Sequence, residues 1–289
     1  MRRFLGEGAF GRVYEAYDPQ LDRAVALKVA KPEQLGSAQR VQRFLREAKA
    51  AANLRHPHIV PVFEAGTDGG HHFIAAAFIP GRTLEAAVEE ARPDFRRSAQ
   101  LVRQLAGALA YAHGLGIVHR DVKPANVMLD ERGDPLLMDF GLAARQEEAE
   151  KLTQDGARMG TPLYMAPEQW AGQAVAASDQ YSLGVLLFEL FAGQTPFSGT
   201  PELLAFLHEK QEPPSPRKFD RRLPRDLETI CLKCLQKEPG RRYADCQALA
   251  DDLRRWLDGE TVTARRPGPG ERLLRWGRRN PLVAALSLA

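Results

Sequence analysis
Three cysteines among 289 residues is a sparse and odd count. It offers no disulfide framework and points to a reducing compartment. Cys231 and Cys234 are the only close pair, and two ligands fall short of the four that a structural zinc site needs. On a helix, the pair reads as core. His56-Pro57-His58 likewise reads as a proline turn that ends a helix. Net charge is scarce too: +3 overall, too little to argue for nucleic acid. Met1-Arg2-Arg3 is basic, but no apolar run of signal-peptide length follows it. The most apolar internal stretch, Ser178 to Phe191, is interrupted by Glu189 and is too short for a membrane span.

What the chain does have is ample apolar and charged material, 44% and 27%, enough for one large or two-lobed domain. The charge is uneven. Residues 265–280 carry six arginines against Glu271, a local +5, so the remainder sums to −2.

The chemistry concentrates in His119-Arg120-Asp121-Val122-Lys123-Pro124-Ala125-Asn126 and in Asp139-Phe140-Gly141, with 18 residues from Asp121 to Asp139. Asp121 can accept a proton from an incoming hydroxyl. Lys123 can neutralise a phosphate. Asn126 and Asp139 supply oxygen ligands of the kind Mg2+ prefers. Phosphoryl transfer needs this set, because its catalysis is mostly positioning and charge neutralisation.

Further features fall in a consistent order. Gly6-Glu7-Gly8-Ala9-Phe10-Gly11-Arg12-Val13 is a G-x-G-x-x-G-x-V run between two predicted strands, where a dinucleotide-binding loop would open a helix instead. Val25-Ala26-Leu27-Lys28 lies on a strand predicted over Leu21 to Ala30. Glu47 lies in a helix predicted over Gln39 to Leu54. Ile59 to Phe63 and His72 to Phe78 read as strands, Thr83 to Ala91 as a short helix, and Ser98 to His113 as a longer one capped by Ser98. Asp139 to Glu168 is closed by Gly160-Thr161-Pro162-Leu163-Tyr164-Met165-Ala166-Pro167-Glu168. A strongly apolar helix begins near Asp179 and stops at Gly193. Pro201 to Lys210, Pro224 to Lys237 and Ala244 to Leu257 read as further helices.

In these motifs the chain resembles the eukaryotic-type serine/threonine protein kinases, in particular the bacterial Hanks-type, receptor-like ones, over roughly nine-tenths of its length. The resemblance implies an α+β, bilobal fold. A β-rich N-lobe would cover residues 1–78, with a shortened first strand, and a helical C-lobe residues 79–258. It implies ATP and Mg2+ as cofactors, a protein serine or threonine as acceptor, and a role in signalling. Asp121, Lys123, Lys28 and Glu47 would be the catalytic set, with Glu47 fixing Lys28. Gly6, Gly8, Gly11, Val13, Ala26, Lys28, Ala77, Ile79 and Met128 would bind the nucleotide, and Asn126 and Asp139 the metal. Ala76 would be the gatekeeper before the hinge. Thr83 stands where many basic-directed members carry a glutamate, which argues against a basic substrate. Thr161 and Lys123 would shape a slot for a short hydroxyl. Thr153 would take an activating phosphate against Arg120, by self-association in trans. Glu168 would pair with Arg242, and Asp179 would cap its helix or bond the catalytic-loop backbone.

Two rival readings share these residues. A pseudokinase usually lacks the lysine, the catalytic aspartate or the metal aspartate, and all three are present. An adaptor driven by the basic tail would lose its function on deletion of 265–289. That tail itself reads two ways. Residues 259–280 would be a basic juxtamembrane-like linker before a transmembrane helix beginning at 281, placing the catalytic domain at the cytoplasmic face of the membrane in contact with anionic lipid. Alternatively, they are a disordered tail. The first reading is preferred, and no nucleic-acid partner is expected.

Overall fold
The computed structural model describes residues 1–8, 11–140 and 162–264. Gly141, Thr153, Thr161 and the tail from 265 lie outside the described residues. The chain opens with β1 (Arg3–Glu7), β2 (Gly11–Asp18) and β3 (Arg23–Ala30), in which Val13, Tyr14, Tyr17, Val25 and Val29 are among the β-branched and aromatic residues that suit a pleated surface. β3 starts at Arg23 and not at Leu21. The Asp18 carboxylate accepts the amides of Gln20 and Leu21, and Asp22 turns with φ 49°, so the turn consumes those residues. With β4 (Val62–Asp68) and β5 (His71–Ala77), these strands form an antiparallel sheet in the order β1-β2-β3-β5-β4.

One helix packs on this sheet, α1 (Ala38–Ala51), whose Ser37 cap accepts the Arg40 amide. It ends three residues earlier than the apolar pattern suggests. Its Ala48 and Phe44 meet Ile74, Val62 and Ala65 from the strands.

Beyond the sheet the chain is mostly helical. It comprises α2 (Leu84–Glu90), α3 (Phe95–Gly114), α4 (Pro167–Trp170), α5 (Ala176–Ala192), α6 (Pro201–Lys210), α7 (Arg225–Cys234) and α8 (Cys246–Leu257). α3 starts one turn before the expected position. Asp94 caps it by accepting the Arg97 amide at 2.6 Å, while Ser98 is buried and donates back to the Asp94 carbonyl. α5 is buried almost all round and forms the axis of this layer, with α3, α7 and α8 packed about it. Gly184 permits the approach of α7, since a Cβ there would stand 2.7 Å from that of Cys234. Cys231, Cys234 and Cys246 are all fully buried in this core, and burial raises all three thiol pKa values, that of Cys234 to about 12.

A small sheet, β6 (Gly81–Thr83), β7 (Val127–Asp130) and β8 (Pro135–Leu137), lies between the two layers. β7 carries the chain out of the catalytic stretch, and β8 leads to Asp139. The last described residues fold back as a strap on α8, with Val262 buried. Among the described residues no helix is long and apolar enough to cross a membrane.

Candidate active site
The loop 118–126 is held from below by one carboxylate. Asp179, fully buried near the start of α5, accepts the amides of His119 (2.9 Å) and Arg120 (2.8 Å) and meets His113 Nε2 at 2.7 Å. Of the two roles expected for Asp179, it takes the loop-backbone one; the residue before α5 is Val175. The bonds hold Arg120 at φ 70°, a left-handed conformation that costs a non-glycine residue about 1–2 kcal/mol. Gln169 adds a bond to the Arg120 carbonyl, and His119 Nε2 donates to the Met138 carbonyl at 2.9 Å. With its proton on Nε2, His119 is left to accept the Asp121 amide on Nδ1.

Above this base sits Asp121. Its Oδ2 accepts Lys123 Nζ at 2.9 Å and Asn126 Nδ2 at 3.0 Å, and the same amide also reaches the Asp121 carbonyl. Two donors on one oxygen fix the carboxylate plane. Because Asn126 spends its NH2 on Asp121, its side-chain oxygen is the atom left for a hard cation.

Asp139 follows β8 with φ 63° and accepts Lys28 Nζ at 2.8 Å. Lys28 lies on β3 opposite Val13 and Ile74. The expected Lys28–Glu47 pair is not among the ion pairs of the described residues. Burial raises the Glu47 pKa, with the Arg120 charge the largest opposing influence. The lysine meets Asp139 instead, and of the neighbouring charges acting on Glu47 that of Arg120 is the strongest. The physical reason is charge matching: in a half-buried groove each ion is drawn to the opposite charge nearest it.

The donor chemistry suits Mg2+. Asn126, at the end of the fixed loop, and Asp139, just after β8, present hard oxygens, and a magnesium ion would complete its shell with phosphate and water. Gly6 and Gly8 have open space where a Cβ would stand, and the Gly8 amide bonds the Gly11 carbonyl to close the turn. Gly11 is needed for a different reason: a Cβ there would lie 2.3 Å from the Val29 carbonyl oxygen. Ala26 pairs with Ala76, and the Ala77 amide bonds the Pro61 carbonyl; Ile79 follows where the chain leaves the sheet. Met128 lies on β7 opposite Thr83 and Leu136.

Below Asp121 opens a cavity of about 460 Å³ between α2, the loop, residues 162–165 and α5. Sequence reasoning missed its acidic wall, Glu85, Glu89 and Glu189, which only the fold assembles. Tyr164 donates to Glu189 at 2.6 Å, and burial raises the Glu189 pKa. Glu168 and Arg242 meet in a bidentate pair, 2.6 and 2.8 Å; Arg242 also donates to the carbonyls of Gln236, Ala177 and Lys237. Burial raises the Glu168 pKa, but the bonds and charge of Arg242 more than offset it, and the net shift is downward.

The protein kinase domain model matches residues 1–253. The chain belongs to the protein kinase family. It is 38% identical to a probable serine/threonine-protein kinase of Streptomyces coelicolor over 90% of this chain and 40% of that protein. It is 33% identical to the serine/threonine-protein kinase PrkC of Bacillus subtilis over 91% and 41%. Among solved structures, the PknI kinase domain of Mycobacterium tuberculosis superposes with a TM-score of 0.73 at 32% identity, over 89% of this chain and 94% of that one. The chain spans about 40% of the length of these two relatives. It has the protein-kinase fold, and the family to which it belongs uses ATP with Mg2+.

Proposed function
We propose that this domain transfers the γ-phosphoryl group of Mg-ATP to a protein serine or threonine in signalling, with the following division of labour. Asp121 orients the acceptor hydroxyl and takes its proton. Lys123 and Lys28 neutralise phosphate oxygens, and Asn126 and Asp139 hold the metal. The glycine turn 6–11 with Val13 and Ala26 covers the nucleotide. The backbone at Ala77 and Ile79 meets adenine, and Met128 lies beneath it. Residues 1–78 and 79–258 act as the two lobes. Glu47 reaches Lys28 when α1 swings toward the groove and exchanges its nearby Arg120 for the lysine. The observation that carries the reading is the Asp121 carboxylate held by Lys123 and Asn126 at the mouth of the cavity.

Steady-state turnover on a protein substrate, with calorimetric Mg-ATP binding, tests the assignment. Asp121→Asn is expected to bind Mg-ATP nearly normally and to lose several orders of magnitude in turnover. Asp139→Asn is expected to weaken Mg-ATP binding itself. Near-normal turnover in Asp121→Asn would refute the reading.

For the whole protein, the finer reading is a catalytic domain held at the inner face of a membrane through the basic linker 259–280, self-associating so that one copy phosphorylates another at Thr153. The arginine count is the support for the first part, and Arg120 before Asp121 for the second.

A further inference from the structure
The chain leaves α8 through Thr261-Val262-Thr263-Ala264 and is clasped by a second buried aspartate. Asp252 accepts the Thr263 amide at 2.5 Å and the Thr263 hydroxyl at 2.9 Å on Oδ1. It accepts the Ala264 amide at 2.8 Å and the Tyr243 hydroxyl at 2.9 Å on Oδ2. Three of these four bonds hold the strap, and Val262 plugs it into the core. Thr263 itself is exposed. Nothing in the catalytic chemistry uses this clasp.

Two observations make it more than a helix end. The cavity beneath Asp121 is lined by Glu85, Glu89 and Glu189 together with Asp121, against the two cations Arg120 and Lys123, so acid outnumbers base and the wall favours a positively charged acceptor segment. Among the exposed hydroxyls of the described residues, Thr263 alone is followed within three positions by two arginines, Arg265 and Arg266. Thr83 caps α2, and the acids that favour a basic acceptor are Glu85 and Glu89 further along that helix, with Glu189 on α5.

We propose that Thr263 is a phosphoacceptor for the catalytic site of a second copy of this chain, and that its phosphate keeps the strap from closing on Asp252. The inference rests on the proposed kinase reading. The strap opens transiently, by the local unfolding that segments of a folded protein undergo. The Thr263 oxygen forms a bond to the γ-phosphorus of ATP while the bond from that phosphorus to the β,γ-bridging oxygen breaks. ADP leaves with the electron pair, and the hydroxyl proton passes to Asp121. The new group carries about −1.5 to −2 charge. It cannot reoccupy a place 2.9 Å from a buried carboxylate, so the strap stays open.

The test uses the full 289-residue chain with Mg-ATP, with casein as an independent acceptor. Asp121→Asn chain serves as substrate for the unmodified chain. Expected are phosphate on Thr263 of the Asp121→Asn chain by mass spectrometry, and hydrogen exchange at the Thr263 and Ala264 amides at least tenfold faster once it is there. Thr263→Val should phosphorylate casein normally and lose that phosphate. Three outcomes overturn the inference while the kinase reading stands: casein phosphorylated but Thr263 bare, phosphate on Thr261 instead, or Thr263 phosphorylated with exchange unchanged. If neither casein nor Thr263 takes phosphate, the catalytic reading fails and this inference falls with it.

Discussion
Arg242 places a positive charge where its side chain has no exposure at all, and five hydrogen bonds receive it. Removing one partner of such a pair leaves the other charged and dry. Arg242→Met is therefore expected to destabilise the protein by about 3 kcal/mol or more, read as a lower urea midpoint. Ala76 supports a second expectation. In the proposed reading, alanine at this position, opposite Ala26 on β3, offers little bulk behind the adenine. Ala76→Phe should weaken ATP-site inhibitors with bulky aromatic extensions at least tenfold, about 1.4 kcal/mol, while sparing ATP, in a competition assay. Residues of this kind were legible because their chemistry is written in short contiguous motifs: Asp121, Lys123 and Asn126 lie within six positions. The partner of Lys28 was not legible. Asp139 and Glu47 are both carboxylates of suitable reach, and only the placement of α1 decides between them.

Helix α6 shows how an element can carry a pH dependence. His208 is fully buried on it, with Tyr181 beside Nδ1 at 2.9 Å and the ring of Phe197 at 5.1 Å. Burial, with the Lys237 charge second, lowers its pKa to about 3. Between pH 6.5 and 3 the unfolded chain therefore takes up a proton that the folded one refuses. Stability falls as pH falls through that window, because the unfolded state binds more protons. His208→Gln should show a shallower loss of stability over the window, measured as urea midpoint against pH beside the unmodified protein. An equal slope in both would refute this. At the element scale the sequence told the type of most helices and strands but not their ends. Asp94 and Ser98 are both competent caps one turn apart, and the buried environment of Ser98 settled which one served. β6 went unread because three residues carry no periodicity. Its one signal is Gly81, where a Cβ would lie 2.0 Å from the Leu129 carbonyl oxygen.

For the molecule as a whole, charge is divided between a slightly acidic body and a basic end. Six arginines near an anionic leaflet would each contribute about 1 kcal/mol before screening. The 289-residue chain is expected to sediment with anionic vesicles at low salt and to release as salt rises. No binding at any salt would favour the plain-tail reading.

The packing of α8 on α3 bears on how the protein is made. The Arg96 guanidinium donates to the Leu257 carbonyl, joining residues 161 positions apart. Synthesis proceeds from the N-terminus, and domains fold as their parts become available. The five-stranded sheet has all its strands once Ala77 has left the ribosome. The helical layer must wait for Leu257, through nearly two hundred further residues, with the apolar face of α3 uncovered. A nascent chain stalled short of Cys246 would therefore be a finished sheet followed by sticky helices, the form of this protein most in need of a chaperone.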